Sequence, residues 1–400
     1  MPSHRELFFR YLGHTSTAPR ALEFASAKGE YLIKENGEKF LDLVSGFSVS
    51  NIGHSHPKIV KAVQEQAALY MHQTVYGEFI QSPQLRLAEK LASLLPKNLD
   101  CTYFVNSGSE SIETAMKLAR RHTQSKQIIF FKNAYHGSTQ GALSILGNEE
   151  MKSAFSPLIP ECKELIFNDF EMISQISNET ACVIIEPIQA EAGIILPLPG
   201  FLTAIRNRCN KTGTLLIFDE IQTGFGRTGK LFAFEKYNVV PDVLCLAKAM
   251  GGGMPLGAVI SSSEILKKFT YEPMLGHITT FGGHPVCAAA GLAALEVLVD
   301  EKLLENVEAK AQIFYNILIK NQYIREIRMD GLLIAFDLDN ENFAEEIRKE
   351  LINQHIVVES FLFRPKALRI TPPLIIQSEI CQQSAIIIDT VINKIHHDIH

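Results

Sequence analysis

Short, continuously apolar segments recur through the middle of the chain, and they constrain its fold more than any other feature. Seven of them have the β-branched and aromatic composition of strands: 103–105, 128–131, 165–167, 182–185, 214–218, 243–246 and 257–260. Most are separated by stretches of helical periodicity, such as 111–122. Strands that are apolar on both faces and alternate with helices are typical of a parallel sheet covered on both sides. The sequence therefore predicts an α/β fold with a mostly parallel seven-stranded sheet.

The two ends of the chain have a different pattern. Asn36 and Gly37, a strong hairpin signal, lie between strand-like segments at 31–33 and 40–43. Two helical regions and two strand-like segments follow in the last third: 286–320, 341–354, 332–336 and 368–370. We expect a large domain and a smaller α+β domain built from both chain ends. The predicted bounds are 1–50 for the N-terminal part of the small domain, 51–294 for the large domain and 295–400 for the C-terminal part of the small domain.

The composition narrows the class of protein. Of the 400 residues 46% are hydrophobic and 20% charged, which excludes a disordered or fibrous chain. The net charge of −6 disfavours a general nucleic-acid binder. No apolar run reaches the roughly 18 residues of a membrane-spanning helix, and the N-terminus does not have the pattern of a signal peptide. The seven cysteines form no C-x-x-C pair, so we expect no metal site and a reduced, cytoplasmic setting.

Polar residues follow five of the predicted strands, at the point where each strand ends. These segments are 106–110, 133–137, 186–191, 219–222 and 247–253. Together they carry serines and glycines suited to an anion, an aromatic ring, several acids and one lysine. Ligands of open α/β sheets bind beyond the carboxyl ends of the strands, where these segments converge. The sequence therefore predicts a small-molecule site at this edge of the sheet.

Each of these features also has a purely structural interpretation. The Ser-Gly-Ser segment 107–109 suits a phosphate, but Glu110 also completes a helix-capping pattern. Asp219 ends an apolar strand, and its partner there is either a protonated heterocyclic nitrogen or a structural cation. Lys248 is either a lysine that forms a Schiff base or an ordinary surface lysine in contact with water. Tyr135 either stacks on the flat ring of a ligand or packs against other side chains, as most aromatic residues do. Their shared position at one sheet edge favours the functional interpretation.

A glycine-rich loop supports two competing classes. Residues 224–229 match the G-x-G-x-x-G of nicotinamide-dependent oxidoreductases, but five residues separate them from the strand and no acid follows at the required distance. Extended to Leu231, the stretch nearly matches a P-loop, but Leu231 replaces the hydroxyl that would hold Mg²⁺. A non-catalytic scaffold gives no reason for Lys248 and Asp219 to face one cavity. The oxidoreductase stays a distant alternative.

In combination, the motifs resemble those of class III (ω-type) aminotransferases, ornithine/acetylornithine aminotransferase-like members of the fold-type I pyridoxal-phosphate (PLP) enzymes. The resemblance runs from about Tyr31 to Ile376. The segments that carry it are 51–57 (NIGHSHP), 106–110 (NSGSE), 135–137 (YHG), 186–193 (EPIQAEAG), 219–229 (DEIQTGFGRTG), 247–248 (AK), 279–285 (TTFGGHP) and 368–374 (LRITPPL).

The resemblance implies a role for each residue of the site. Lys248 would hold PLP as a Schiff base and move the proton between substrate and cofactor carbons, while Asp219 would keep the pyridinium nitrogen protonated. Arg369 would bind the substrate α-carboxylate, and Glu191 would pair with Arg369 and release it for a dicarboxylate. Three residues would hold the phosphate of PLP: Ser107, Gly108 and Ser109. Tyr135 and Ile221 would lie on the two faces of its ring, and Gln222 would approach its phenolic oxygen. The remaining implied cofactor contacts are His136, Glu186 and Thr280, and Thr280 would reach the cofactor phosphate of the neighbouring subunit in a homodimer.

Three positions depart from the ornithine and acetylornithine pattern. Ser138 replaces an arginine, the substrate-binding position Phe47 replaces a tyrosine, and His284 replaces an asparagine. Losing a guanidinium and a phenol removes donors that an ionic substrate end needs. We therefore expect an ω-amino-type donor (ornithine/acetylornithine-like, a diamine, a β- or ω-amino acid, or a hydrophobic amine) and a 2-oxo acid acceptor, foremost 2-oxoglutarate, in a ping-pong cycle. A PLP-dependent aminomutase or decarboxylase is the alternative.

Overall fold

The computed structural model describes residues 2–75 and 77–399. Its strands are β1 (Ser26–Lys28), β2 (Tyr31–Ile33), β3 (Lys39–Asp42), β4 (Cys101–Val105), β5 (Gln127–Phe131), β6 (Cys162–Leu165), β7 (Thr180–Ile185), β8 (Leu215–Asp219), β9 (Val243–Leu246), β10 (Gly257–Ser261), β11 (Glu326–Asp330), β12 (Leu333–Asp337), β13 (Ile356–Val357), β14 (Glu359–Phe361) and β15 (Arg364–Ile370). Its helices are α1 (His4–Tyr11), α2 (Ser45–Ser48), α3 (Pro57–Leu69), α4 (Ser82–Leu94), α5 (Gly108–Thr123), α6 (Gln140–Ser144), α7 (Glu149–Lys152), α8 (Phe201–Thr212), α9 (Phe234–Tyr237), α10 (Ser263–Leu266), α11 (Pro285–Asp300), α12 (Val307–Leu318), α13 (Glu341–Asn353) and α14 (Ser378–Ile399).

The central sheet has the seven strands that the sequence predicts, in the order β4-β10-β9-β8-β7-β5-β6. Only β10 runs antiparallel to its neighbours, so the sheet is mostly parallel. Successive residues of β8 enter opposite cores: Leu216 and Phe218 pack on the face covered by α3, α4, α8 and α11, while Leu215 and Ile217 pack on the face covered by α5. The predicted α/β fold is confirmed.

One predicted strand lies a few residues away from its observed position. The segment 165–167 was expected to be a strand, but β6 is Cys162–Leu165 and the chain turns after Leu165. Strand β6 is the edge of the sheet and pairs only with β5, so its more polar residues still complete the ladder. Phe167 lies after the strand and contributes to the hydrophobic core, because its ring packs against those of Phe131 and Phe201 at centroid distances of 6.0 and 5.3 Å.

The two chain ends meet in smaller sheets. The predicted hairpin is present as β2 and β3, with Gly37 in the turn at a φ of +85°. Strand β13, from the last part of the chain, pairs in parallel with β3, and a second sheet has the order β11-β12-β15-β14. Helix α11 runs across the predicted boundary at 294/295 and packs on α3 and α4, so the exact domain bounds remain a prediction. Within the described ranges, no helix is long and apolar enough to cross a membrane.

Candidate active site

A cavity of about 470 Å³ opens at the carboxyl edge of the central sheet. Residues that follow β4, β5, β7, β8 and β9 line it, as the strand-end argument predicts. The predicted residues among them are Ser107, Gly108, Ser109, Tyr135, His136, Glu186, Asp219, Ile221, Gln222 and Lys248. Sequence reasoning missed four apolar residues of the wall: Val49, Met254, Pro255 and Leu256. The last three precede β10, whose antiparallel direction brings its start, rather than its end, to this edge.

Lys248 follows β9 in a backbone conformation that is costly for a residue with a side chain. Its φ is +50°, and such strained residues concentrate at functional sites. The Nζ atom donates a hydrogen bond of 3.1 Å to Oε1 of Gln222. Burial lowers the pKa of Lys248, although the carboxylates of Glu191 and Asp219 act in the opposite direction. The amine is therefore neutral, and nucleophilic, in a larger fraction of molecules than a surface lysine.

Asp219 is the last residue of β8, the strand next to β9, and only 4% of it is exposed. Its Oδ2 lies 2.7 Å from Nδ1 of His136, and its Oδ1 accepts a hydrogen bond of 3.0 Å from the N–H of Ile221. These two contacts fix the carboxylate at the cavity wall. His136 itself is buried, and its Nε2 has no hydrogen-bond partner in the described part of the chain.

Glu186 links the segments that follow β5 and β7. Its carboxyl oxygens accept hydrogen bonds from the N–H groups of Ala190, at 3.1 Å, and Tyr135, at 3.3 Å. Burial and the neighbouring charge of Asp219 raise the pKa of Glu186 well above its usual value. Glu186 is therefore protonated in a larger fraction of molecules than an exposed glutamate at the same pH.

The start of α5 forms the part of the cavity suited to an anion. Ser107 caps the helix by accepting a 3.2 Å hydrogen bond from the N–H of Glu110, and it also lines the cavity. The capping interpretation is thus confirmed, and the phosphate site stays a prediction. The positive end of the helix dipole faces the cavity. Close packing here excludes side chains: a Cβ at Gly137, whose φ is +128°, would lie 2.1 Å from Oγ of Ser109.

Glu191 and Arg369 form an ion pair beside this cavity. Nη2 of Arg369 lies 2.7 Å from Oε2 of Glu191, and the arginine side chain is fully buried. Burial alone would raise the pKa of Glu191, but the charge and hydrogen bond of Arg369, with the charge of Lys248, hold this pKa below its usual value. The ring of Phe47 covers the guanidinium at 4.8 Å. The substrate-binding residues expected from the sequence are thus brought together.

Thr280 is the one predicted cofactor contact that lies away from this cavity. It is exposed, and its carbonyl oxygen lies 2.9 Å from Nε2 of His72. Its expected contact with a neighbouring subunit stays a prediction. Of the departures from the family pattern, Ser138 lies 3.3 Å from the hydroxyl of Tyr135, and His284 precedes α11 with its N–H donating to the carbonyl of Phe281.

The glycine-rich loop 224–229 also lies away from the cavity. A Cβ at Gly226 would lie 2.6 Å from a methyl of Leu304, so the loop is packed against C-terminal segments. Arg227 is fully buried and donates hydrogen bonds to the carbonyls of Leu332, at 2.9 Å, and Pro372, at 2.6 Å. Burial lowers the pKa of Arg227 to about 9. This loop joins distant parts of the chain and has neither the strand–loop–helix context nor the exposure of a phosphate loop.

The fold and the site define a class of protein. The family model for class III aminotransferases matches residues 14–392, and the chain belongs to this family. Members of the family are PLP-dependent transaminases, and the expected enzyme class is confirmed.

Solved structures of transaminases superpose on nearly the whole chain. A transaminase from the marine bacterium Virgibacillus is 28% identical with a TM-score of 0.92, over 99% of both chains. The ornithine aminotransferase of Toxoplasma gondii ME49 is 27% identical with a TM-score of 0.92, over 100% of this chain and 97% of that one. A second structure of the Toxoplasma gondii enzyme shows partial occupancy of PLP at its active site. The adenosylmethionine-8-amino-7-oxononanoate aminotransferase of Methanocaldococcus jannaschii is 27% identical with a TM-score of 0.90, over 98% of both chains.

Proposed function

We propose that this aminotransferase moves an amino group from an ω-amino-type donor to a 2-oxo acid, foremost 2-oxoglutarate, in a ping-pong cycle with PLP bound in the cavity. One observation carries the proposal. The amine of Lys248 and the carboxylate of Asp219 come from the ends of adjacent strands and line the same cavity. The ion pair of Glu191 and Arg369 beside it supplies a carboxylate site.

The residues of the cavity fit PLP. Two buried nitrogen atoms, Nε2 of Gln222 and Nε2 of His136, have no hydrogen-bond partner among the residues described. Buried polar atoms are normally paired, so a polar ligand accounts for an orphan atom at the cavity wall. The residues that would hold the cofactor are Ser107, Gly108 and Ser109 at its phosphate, Tyr135 and Ile221 at its ring, Gln222 at its phenolic oxygen, and Asp219, His136 and Glu186 around its ring nitrogen. When bound, PLP supplies a carbonyl for Schiff-base formation and a ring that accepts electrons.

The side chains of the chain itself hold and move the protons. Burial makes Lys248 a neutral amine in more molecules. With PLP bound, Nζ would act as a nucleophile in Schiff-base formation and as the base that carries a proton from the substrate carbon to the cofactor carbon. The carboxyl group of Asp219 is held at one fixed place, because His136 and the N–H of Ile221 contact its two oxygens. The hydrogen bond between Lys248 and Gln222 aims the amine into the cavity.

The cavity wall favours donors whose far end is not a second acid. Of the described residues that line it, only Lys248 is a lysine or an arginine, while Val49, Met254 and Leu256 are apolar. A carboxylate at the far end of the donor has only Arg369 to pair with, and Glu191 occupies that group. We infer that a diamine or a hydrophobic amine, which has no carboxylate at its far end, is a better donor than ornithine or a β- or ω-amino acid.

We also infer a homodimer in the cytoplasm. Large apolar side chains are exposed close to Thr280, with 76% of Met274 and 55% of Phe281 accessible. An exposed apolar surface of this kind favours a second copy of the chain, whose cofactor phosphate Thr280 would reach. Seven free cysteines support a reducing compartment. Sedimentation analysis tests the assembly, and a monomer that is fully active excludes the role of Thr280.

A donor screen with pyruvate and 2-oxoglutarate as acceptors, combined with borohydride trapping of PLP, tests the proposed function. We expect trapping to attach the cofactor to Lys248, and we expect Lys248→Ala to keep its fold but lose transamination. Lys230→Ala is the matched control, because Lys230 is exposed and lies directly after the glycine-rich loop, away from the cavity. Normal turnover by Lys248→Ala without an added amine excludes the proposed mechanism.

A further inference from the structure

Helix α2 (Ser45–Ser48) is a single turn that winds in the opposite sense to an ordinary α-helix. Its four residues have φ values of +53°, +58°, +59° and +66° in chain order, and only Gly46 among them lacks a side chain. Elsewhere in residues 2–75 and 77–399, no more than two consecutive residues have a positive φ. A left-handed turn brings each Cβ too close to the following carbonyl oxygen, so three residues of α2 are strained. Strain of this kind persists only where the surrounding structure imposes it, and it concentrates at functional sites.

The left-handed turn brings two side chains to the candidate active site. The ring of Phe47 lies over the guanidinium of Arg369 at 4.8 Å, and Val49, the residue directly after α2, lines the cavity. The direction of each Cα–Cβ bond depends on the backbone conformation, so a turn of the ordinary hand would point these side chains elsewhere. The places of Phe47 and Val49 therefore depend on the strained conformation.

The carboxylate of Asp42 fixes the chain where it enters the turn. Oδ1 of Asp42 accepts hydrogen bonds of 2.8 and 2.9 Å from the N–H groups of Val44 and Ser45, and its Oδ2 lies 2.8 Å from Nε2 of His54. Only 3% of Asp42 is exposed, so both of its oxygens are occupied inside the protein. The turn does not hold itself in the same way, because Oγ of Ser48 is buried and has no hydrogen-bond partner in the part of the chain that the structure describes.

The same entry is attached to the strand that carries Arg369. Thr371 directly follows β15, and its N–H donates a hydrogen bond of 2.7 Å to the carbonyl of Leu43. Its hydroxyl donates to the carbonyl of Val44 at 3.1 Å, and its own carbonyl accepts from Oγ of Ser45 at 2.7 Å. The start of the turn and the guanidinium are therefore held in one frame, within which the conformation of α2 decides where the ring of Phe47 lies.

We propose that Asp42 and His54 are positioning residues for the substrate, which hold α2 in its left-handed conformation and so keep Phe47 on Arg369 and Val49 in the cavity wall. This inference rests on the proposed function and adds to it two residues that do not line the cavity. Asp42 pairs the two N–H groups at the entry of the turn, and His54 holds the second oxygen, so that the carboxylate cannot rotate away from them. Without this clamp the turn relaxes toward an unstrained conformation.

The position of the Phe47 ring provides a test that does not depend on turnover. Phe47 alone is replaced by 4-fluorophenylalanine, and fluorine NMR of the PLP-loaded protein then gives one resonance for this ring. We expect Asp42→Ala to shift or broaden the resonance and His54→Ala to do so to a smaller extent. Asp42→Asn keeps an oxygen that accepts from the two N–H groups, so we expect it to preserve the resonance.

Asp242→Ala is the matched control, because Asp242 is also a carboxylate that joins a backbone N–H to a basic side chain. Its Oδ2 accepts hydrogen bonds of 2.7 Å from the N–H of Leu216 and from Nη1 of Arg206, and it does not line the cavity. We expect this control to leave the resonance of the Phe47 ring unchanged. A shift as large as that in Asp42→Ala assigns the effect to general destabilisation and overturns the proposal.

A double-mutant comparison tests whether Asp42 acts through Phe47. The second half-reaction with 2-oxoglutarate is measured for Asp42→Ala, for Phe47→Ala and for the double variant. We expect each single variant to lose roughly 10-fold in kcat/KM, mainly through a raised KM, because a misplacement of about 1 Å can cost up to roughly 100-fold. The double variant should lose no more than Phe47→Ala alone, since the two residues act as a unit. A loss of roughly 100-fold, the product of the two single effects, overturns the proposal.

The proposal stays testable if Asp42→Ala does not fold. His54→Ala leaves the two N–H groups paired with Asp42, and the same measurements are made on it. We expect a displaced resonance and a loss in kcat/KM that disappears in the Phe47→Ala background, and an unchanged resonance in the folded protein overturns the proposal. Failure of the proposed function is a separate result, since it appears as absent transamination by the unmodified protein with every acceptor.

Discussion

Replacing Glu191 by alanine changes which substrates the enzyme prefers. Under the proposed function, a substrate carboxylate must displace Glu191 from Arg369 before it binds, whereas an uncharged amine leaves the ion pair intact. The variant removes the competitor and leaves the arginine charge without its partner. We expect 2-oxoglutarate to react more efficiently and uncharged substrates less efficiently than before.

The size of the change follows from the contacts that Glu191 makes. Its Oε2 accepts hydrogen bonds of 2.7 and 3.1 Å, and one hydrogen bond to a charged group contributes about 1.5–3 kcal/mol. We therefore expect a rise of roughly 10- to 100-fold in the ratio of two kcat/KM values. The first is the value for 2-oxoglutarate, and the second is the value for butanal, an acceptor without a carboxylate. The variant also leaves a buried guanidinium unpaired, so its free energy of unfolding should fall by about 3 kcal/mol.

The pH dependence of stability provides an independent test of the same pair. Because the pKa of Glu191 is lowered in the folded protein, its contribution to stability is present above the ordinary value of 4.5 and is lost as the pH falls through the lowered folded value. The difference in unfolding free energy between the unmodified protein and Glu191→Ala should therefore be constant near neutral pH and shrink only in acid. A difference that shrinks with rising pH contradicts this reasoning.

Single-turnover absorbance measurements on the second half-reaction, with 2-oxoglutarate and with butanal as acceptor, give the two kcat/KM values. Glu350→Ala is the matched control, because Glu350 is a partly buried glutamate of α13 that pairs with Lys394 of α14 and does not line the cavity. We expect this control to lose some stability and keep the substrate ratio. If the folded Glu191→Ala protein has the same ratio as the unmodified protein, Glu191 does not control access to Arg369.

Two further predictions concern stability and use urea unfolding. Gly193→Ala should lower the free energy of unfolding by about 2–4 kcal/mol, because φ of Gly193 is +94° and the new Cβ would lie 2.4 Å from Cδ of Arg364. Gly200→Ala is the control: φ of Gly200 is +83° but the space around it is open, so the free energy of unfolding should fall by only about 1 kcal/mol. Equal losses in the two variants contradict the packing argument. Burial raises the pKa of Glu220 from 4.5 to about 7, so its contribution to stability is present below pH 4.5 and is lost as the pH rises through about 7. The stability of the unmodified protein relative to Glu220→Gln should therefore fall by about 3 kcal/mol between pH 4.5 and 8, and a pH-independent difference refutes the shift.

The positions of Asp219 and Lys248 could be predicted from the sequence because each residue directly follows an apolar run, and such a run indicates a buried parallel strand. Strands buried on both faces appear as apolar runs, and parallel strands end at the same edge of a sheet. Polar residues directly after such runs are therefore brought together, and the structure places both residues at one cavity. No knowledge of the strand order is needed for that conclusion.

Other features depend on information that an apolar run does not contain. The hydrophobicity of β10 is the same for either direction, so the contribution of Met254 and Leu256 to the cavity could not be predicted. Arg227 is a residue type that is normally exposed, and its burial depends on carbonyl groups that lie more than a hundred residues further along the chain. The contact of Leu362 with Glu191 uses a backbone N–H, which every residue except proline has, and so it leaves no trace in the sequence.

The pairing of β3 with β13 has a consequence for how the protein is made. The N–H groups of Leu41 and Leu43 donate to the carbonyls of His355 and Val357, more than 300 residues later. At roughly 5–20 residues per second, the ribosome needs roughly 15–60 s to supply that second strand. The emerging hairpin keeps one open strand edge throughout this interval, and open edges recruit other chains. We therefore expect chains that end before residue 357 to associate through this edge, which the full-length chain covers with its own late strand.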